Sequence, residues 1–241
     1  MSAQGTFARI ASTDGRAALV TVLTGPLAGE HLLLAADGTT EGAITDPQLQ
    51  ARAVAAAQEL IWAERSERRE ELFIDVAAPK PRLLIFGAVE YASYLSQFAR
   101  IAGWRPYVID PRAQFATRER FPHAIEVIAA WPRAAITQLG GIDPATYIAV
   151  LTHDPKIDDE VLLTALAAAP AYIGAMGSKR AQAARRERLL GHGVSESELE
   201  RISAPIGLDL GGVESEEVAV SIMAELVAVR HGREGGRQWH R

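Results

Sequence analysis

From residue 82 to residue 230 the chain alternates short, nearly unbroken apolar runs with stretches of helical composition. No other feature limits the fold as much. The runs are RLLIF at 82–86, YVID at 107–110, a short segment at 124–128, YIAVLT at 147–152 and AYIGAM at 171–176. Helix-compatible stretches follow at 90–102, 157–168 and 179–190, and a long, strongly apolar one closes the series at 215–230. A strand that is apolar on every residue must be covered on both faces, which is the situation of parallel strands joined by crossover helices. The expectation is an α/β domain with a doubly wound parallel sheet. Ligands of such sheets bind at the carboxyl ends of the strands.

The first 45 residues read differently. β-branched and apolar runs at 17–24 and 31–36 are punctuated by Gly25-Pro26, Gly29 and Asp37-Gly38, with a weaker strand segment near Ala43 and Ile44. Residues 48–71 have helix propensity, and the alternating charges ERSERREE at 64–71 read as the solvated end of that helix. Pro79 and Pro81 then restrict the backbone and mark a linker. The expected division is a small β-rich N-terminal domain over 1–78, a larger α/β domain over 79–230 and a glycine-rich, basic, flexible tail over 231–241.

Composition narrows the function. The chain has no cysteine, so disulfides, thiolate metal sites and cysteine nucleophiles are excluded. Lys plus Arg is 25 against 30 for Asp plus Glu, a formal net charge of −5 that speaks against a nucleic-acid partner. No apolar run reaches the roughly 18–20 residues of a membrane helix, and the N-terminus lacks the pattern of a signal peptide. A cytoplasmic protein with no membrane partner is expected.

The first βα turn of a dinucleotide fold wants G-x-G-x-x-G/A. Here it reads Gly87-Ala88-Val89-Glu90-Tyr91-Ala92. The first and sixth positions fit. Val89, however, fills the space a diphosphate needs, and Glu90 repels it. Asp110 ends the second strand, where an acid would hold a ribose hydroxyl. The expectation is a Rossmann-like scaffold that binds NAD(P) poorly.

Beyond the strand ends lie further candidates. Arg112, Arg118 and Arg120 suit carboxylate or phosphate oxygens, or else pair internally with Asp110. His153 and Asp154 end the fourth strand, with Asp158 and Asp159 a turn later. This is material for a proton relay or for helix capping, and no metal is expected. Gly177-Ser178-Lys179-Arg180 ends a strand and opens a helix. Five basic residues between 179 and 188 face one acid, Glu187, so an anion site fits here better than at Gly87. Asp209 sits among Gly207, Gly211 and Gly212 in a loop shaped for close backbone approach, and Glu225 lies within the last apolar helix in need of a partner or an exposed position.

In these residues the chain resembles the xanthine dehydrogenase accessory proteins, the XdhC/CoxI family. The resemblance is carried by DPRAQFATRERFPHA (110–124), VLTHD (150–154) with Asp158, YIGAMGSKR (172–180), and PIGLDLGG (205–212) followed by EEVAVSIMAE (216–225). It implies a two-domain protein, usually a homodimer. Such a protein binds molybdenum cofactor and helps load it into a molybdenum hydroxylase client of the xanthine or carbon monoxide dehydrogenase type. The cofactor is a pterin with a phosphate, which suits an anion site at Ser178–Arg180. The cofactor-binding candidates are Gly87, Asp110, Arg112, His153, Asp154, Gly177, Ser178, Lys179, Arg180 and Asp209. The chain departs from the family in two places. Val89 and Glu90 replace glycine and histidine of a G-A-G-H turn, and GAITDPQLQ (42–50) stands where relatives carry a G-G-C-x-E segment. The readings to separate are a cofactor-binding maturation factor, an NAD(P)-dependent oxidoreductase and a degenerate protein-binding assembly subunit. The N-terminal domain is expected to cover the ligand or mediate dimer contacts without doing chemistry.

Overall fold

A computed structural model describes residues 2–233. The expected tail over 231–241 falls, from residue 234 on, outside the described residues. The chain separates into two compact units, one ending at Lys80 and one starting at Pro81.

The first unit begins with helix α1 (Ala3–Ser12), followed by β1 (Ala17–Val22), β2 (His31–Ala35), β3 (Thr40–Ala43), helix α2 (Pro47–Ala63), β4 (Glu67–Arg69) and β5 (Leu72–Ala77). The strands form one antiparallel sheet in the order β3-β2-β1-β5-β4. Alternation in β1 divides its side chains. Ala18, Val20 and Val22 face α2, while Ala17 and Leu19 join Ala3, Phe7 and Ile10 of α1.

Two expectations are corrected here. Residues 3–12 are helical and not β, because Ser2 accepts the Gly5 amide and Phe7 and Ile10 seal the second face of the sheet. Residues 64–71 are not the end of a helix. Glu64 takes a left-handed conformation (φ 51°) that stops α2, held by the buried Arg16–Glu64 pair at 2.8 Å. The chain then enters β4 and turns through Glu70 (φ 53°) into β5.

The second unit comprises β6 (Arg82–Phe86), α3 (Glu90–Ile101), β7 (Arg105–Ile109), β8 (Glu126–Ile128), α4 (Pro132–Gln138), β9 (Thr146–Val150), α5 (Pro155–Ala168), β10 (Tyr172–Ala175), α6 (Lys179–Gly191), α7 (Glu196–Leu199), β11 (Ile202–Ser203) and α8 (Ser215–Arg230). Elements α4, α7 and β11 were not legible in the sequence. The six strands are parallel, ordered β11-β10-β9-β6-β7-β8. The fold is therefore α/β, a Rossmann-like doubly wound parallel sheet accompanied by a smaller β-rich unit.

β6 shows why the apolar runs are continuous. Leu83 and Ile85 pack with α3 and α8 on one face, whereas Leu84 and Phe86 pack with α4, α5 and α6 on the other. All four are fully buried, and burying each contributes about 1.5–3 kcal/mol. Because β6 hands over to α3 and β9 to α5 on opposite faces, the strand order reverses between β6 and β9. A crevice at the carboxyl edge results.

Candidate functional site

The loops at the carboxyl edge of the parallel sheet fall into two groups. The first surrounds the turn after β6. Gly87 has φ +117°, and a side chain there would meet the Thr152 amide at 3.0 Å and the Leu151 carbonyl carbon at 3.2 Å, so only glycine lets β6 and β9 close up. Asp110 is fully buried and already committed. One carboxylate oxygen accepts the Ala88 amide (2.8 Å) and Arg112 Nη2 (2.7 Å), and the other accepts the Arg112 amide (2.9 Å) and Nε (2.8 Å). Burial pushes this carboxyl up, but the Arg112 fork and the two backbone donors outweigh burial and hold it below the usual aspartate range. Among the arginines, Arg112 is the one that pairs with Asp110. Arg118 donates to the Ala124 carbonyl (2.5 Å), and Arg120 donates to the Phe115 carbonyl (2.8 Å) while stacking on Phe121.

Two acids, Glu90 and Glu216, stand beside this turn. Val89 is the N-cap of α3 and supplies no side-chain bond to it. Glu90 follows, exposed, accepting from Ser215 Oγ at 3.1 Å. A hydrogen bond to Glu216, with the charges of Glu216 and Glu90, holds the Tyr94 phenol above its ordinary range. Beside the turn lies a cavity of about 430 Å³ lined by Val89, Glu90, Ser93, Tyr94, Arg120 and Phe121.

The second group joins the ends of β9 and β10. His153 is exposed and Asp154 is spent on capping α5, accepting from the Lys156 amide at 3.0 Å. Asp159 pairs with Arg188 (2.6 Å). Asp158 is buried, accepting from Thr152 Oγ1 (2.7 Å) and Arg185 Nη2 (3.1 Å). Burial outweighs both bonds and pushes this carboxyl up. His153 and the three carboxylates that the sequence set side by side thus do separate work. Arg112 lies within the electrostatic reach of Asp154, which links the two groups across the crevice.

At the β10–α6 turn, Gly177 has φ +145° and Ser178 caps α6, accepting from the Ala181 amide at 3.3 Å. Lys179 and Arg180 occupy the first two helical positions, with their amides ahead of the first intrahelical bond, and both side chains are exposed and make no hydrogen bond or ion pair among the described residues. The remaining three basic residues are engaged, Arg185 with Asp158, Arg186 with Glu196 and Arg188 with Asp159. Free positive charge is therefore concentrated at the start of the helix, where the helix dipole adds to it.

Asp209 is exposed and accepts the Gly211 amide at 3.3 Å. The loop that carries it is held by Glu225, which is buried and partnered, accepting from Tyr172 Oη (2.5 Å) and the Gly207 amide (2.6 Å). Sequence reading leaves the partner of Glu225 open and gives Arg185 no separate role. Spacing offers one clue to Arg185, since it stands four residues after Ala181 on the helix face that meets Gly177.

The class is thus a Rossmann-fold protein whose first turn is closed by its own side chains and whose β10–α6 turn carries two exposed, unpaired cations. A family model for the XdhC Rossmann domain matches residues 83–226, more than half of the chain. The chain belongs to the XdhC family. It is 31% identical over 164 residues to a probable xanthine dehydrogenase subunit of Bacillus subtilis, covering 68% of this chain and 47% of that protein. It is 29% identical over 152 residues to the molybdenum cofactor insertion chaperone PaoD of Escherichia coli, covering 63% and 41%. The chain spans less than half the length of these curated relatives. A crystal structure described as a xanthine dehydrogenase from Bacillus halodurans matches with a TM-score of 0.64 at 26% identity, over 94% of this chain and 65% of that one.

Proposed function

We propose that this protein is a maturation factor that binds molybdenum cofactor at the carboxyl edge of its parallel sheet and assists its insertion into a client of the xanthine or carbon monoxide dehydrogenase type. The reading draws on the naming of PaoD as an insertion chaperone and of another relative as part of a xanthine dehydrogenase. The observation that carries it is the pair of unpaired cations, Lys179 and Arg180, on the exposed amides that open α6. Gly177 leaves a cradle that a Cβ would fill, and buried Arg185 beneath it has two nitrogens, Nε and Nη1, without acceptors. Such a donor set fits the phosphate monoester of a pterin cofactor.

In this reading Ser178, Lys179 and Arg180 hold the anionic end. Arg112, His153 and Asp154 border the crevice, and Glu225 fixes the loop that presents Asp209. The chain has no cysteine to carry sulfur or form a thioester, so its part is to bind, orient and release. The oxidoreductase alternative is disfavoured at the first turn. Asp110 has no oxygen left for a ribose, and Val89 and Glu90 oppose a pyrophosphate. A protein-only assembly role leaves the free cations at α6 without a purpose. Among the described residues no helix is long and apolar enough to cross a membrane. Our reading puts the protein in the cytoplasm as a homodimer, with its first unit supplying contacts.

Native mass spectrometry of protein from a host that makes molybdenum cofactor tests this reading. A bound mass matching the cofactor, absent after expression in a cofactor-deficient host, is the expected result. Cofactor-free protein from both hosts would contradict it.

A further inference from the structure

The buried guanidinium of Arg185 is a polar group in the second unit whose chemistry the fold leaves unfinished. Its side chain is 6% exposed, so it sits more than nine-tenths buried. Nη2 donates to Asp158 Oδ2 (3.1 Å) and to the Met176 carbonyl (2.7 Å). Nε and Nη1 are buried with no acceptor. Leaving charged donors unmet in the interior is costly, and a protein keeps such a group where something else completes it. The pairing with Asp158 accounts for the charge but leaves the Nε and Nη1 donors unused.

The surroundings say what would complete it. Arg185 reaches back along α6 to lie under the turn that opens the helix. An atom placed where a Gly177 side chain would begin is 3.6 Å from Arg185 Nη2 and 3.9 Å from Nη1, with Ala181 Cβ at 3.2 Å. The guanidinium is thus overlain by a residue without a side chain, at φ +145°. Arg185 also borders a cleft of about 330 Å³, shared with Gln182, Leu189, Ile202 and Ala204. Gln182 Nε2 donates to the Gly177 carbonyl at 2.9 Å and ties the cleft to the turn. An oxyanion seated at the α6 amides would lie on the Gly177 side of the guanidinium, where Nη1 is the nearest donor left unused, and a charge-assisted bond to it is the kind that holds phosphate oxygens.

We propose that Arg185 is a buried anchor for a phosphate-type dianion at the β10–α6 turn, beneath Gly177 and behind the surface cations Lys179 and Arg180. The assignment rests on the cofactor-binding reading above and adds to it a buried donor behind the surface cations. Lys179 and Arg180 attract any anion from solvent; Arg185 Nη1 adds a charged donor beneath the turn that a phosphate oxygen would satisfy.

The probe is inorganic phosphate, titrated into the full-length protein at low ionic strength by calorimetry and followed by phosphorus NMR. Arg185→Gln with Asp158→Asn removes both buried charges together, so no lone ion is left inside. Circular dichroism and urea unfolding establish that the variant is folded. Wild-type protein is expected to bind phosphate saturably, and the double variant to bind about tenfold more weakly or worse. Gly177→Ala, which leaves Arg185 and Asp158 in place but fills the cradle, is expected to weaken phosphate binding as well and serves if the first variant does not fold. Undiminished binding by either folded variant overturns the proposal. If Lys179→Glu with Arg180→Glu abolishes binding while the Arg185 variant binds normally, the helix start holds the anion without Arg185. The proposal then falls and the cofactor-binding reading stands. Absence of phosphate binding by wild type also overturns the proposal, and cofactor retention in native mass spectrometry decides separately whether the wider reading survives.

Discussion

The turns after β6 and after β10 are built alike in backbone and differ in their side chains. Each has a glycine with positive φ at the end of a parallel strand, and each opens a helix of at least twelve residues. At the first, the nearby carboxylate of Asp110 takes up the Ala88 amide, the helix begins with Val89 and Glu90, and acids surround the start. At the second, Ser178 caps the helix, Lys179 and Arg180 follow it, and an arginine lies underneath with donors to spare. Parallel-sheet topology makes several equivalent places for an anion, and the side chains decide which remains open.

Five variants probe this contrast, beginning with the largest effect. Gly87→Ala must strain the backbone and press on the Thr152 amide, so it should cost about 3 kcal/mol or more in urea unfolding. The same change at Gly177, whose nearest neighbour is a side-chain methyl at 3.2 Å, should cost about 1–2 kcal/mol. Equal costs would mean that the first turn is no more closed than the second.

Asp110→Asn removes a buried acceptor from the Ala88 amide and the Arg112 fork, and should cost about 2 kcal/mol at neutral pH. The pH dependence has opposite signs at the two turns. Asp110 is held below the ordinary aspartate range, so its stabilisation is present above about pH 4 and is lost as pH falls through its folded value. Asp158 is pushed up, so its favourable contribution is present below about pH 4 and is lost as pH rises through its folded value. In unfolding experiments across pH, Asp110→Asn should flatten the acid limb and Asp158→Asn the limb above it. The reverse assignment would undo the electrostatic contrast. The smallest stability effect belongs to Lys179→Glu with Arg180→Glu, within about 0.5 kcal/mol, because both side chains are exposed and unpaired.

The doubly wound sheet was readable because burial on both faces of β6, β7, β9 and β10 leaves an unbroken apolar signal. What escaped the sequence was set by tertiary contacts. Helix α1 is ten residues long and is stabilised by a sheet face that the local sequence does not reveal. The charged segment 64–71 has helix propensity throughout, but Arg16, nearly fifty residues earlier in the chain, fixes Glu64 in a left-handed turn and releases β4 to pair with β5. At the candidate site the same holds. Position along the strands brought Gly87, Asp110, His153 and Gly177 to one edge, as topology requires. Which carboxylate meets which arginine is a matter of side-chain direction: Asp110 turns to Arg112, Asp159 to Arg188, and Asp158 inward to Arg185. No spacing rule in the sequence gives those pairings.

In the proposed function the ligand's anionic end rests on the β10–α6 turn and not on the first turn. This placement is tested most directly by cofactor retention in two folded variants purified from a host that makes molybdenum cofactor. Lys179→Glu with Arg180→Glu reverses the charge at α6, while Val89→Gly with Glu90→His opens the first turn. The first variant is expected to lose bound cofactor in native mass spectrometry and the second to keep it at the wild-type level. Full retention by the first variant would move the anion site elsewhere.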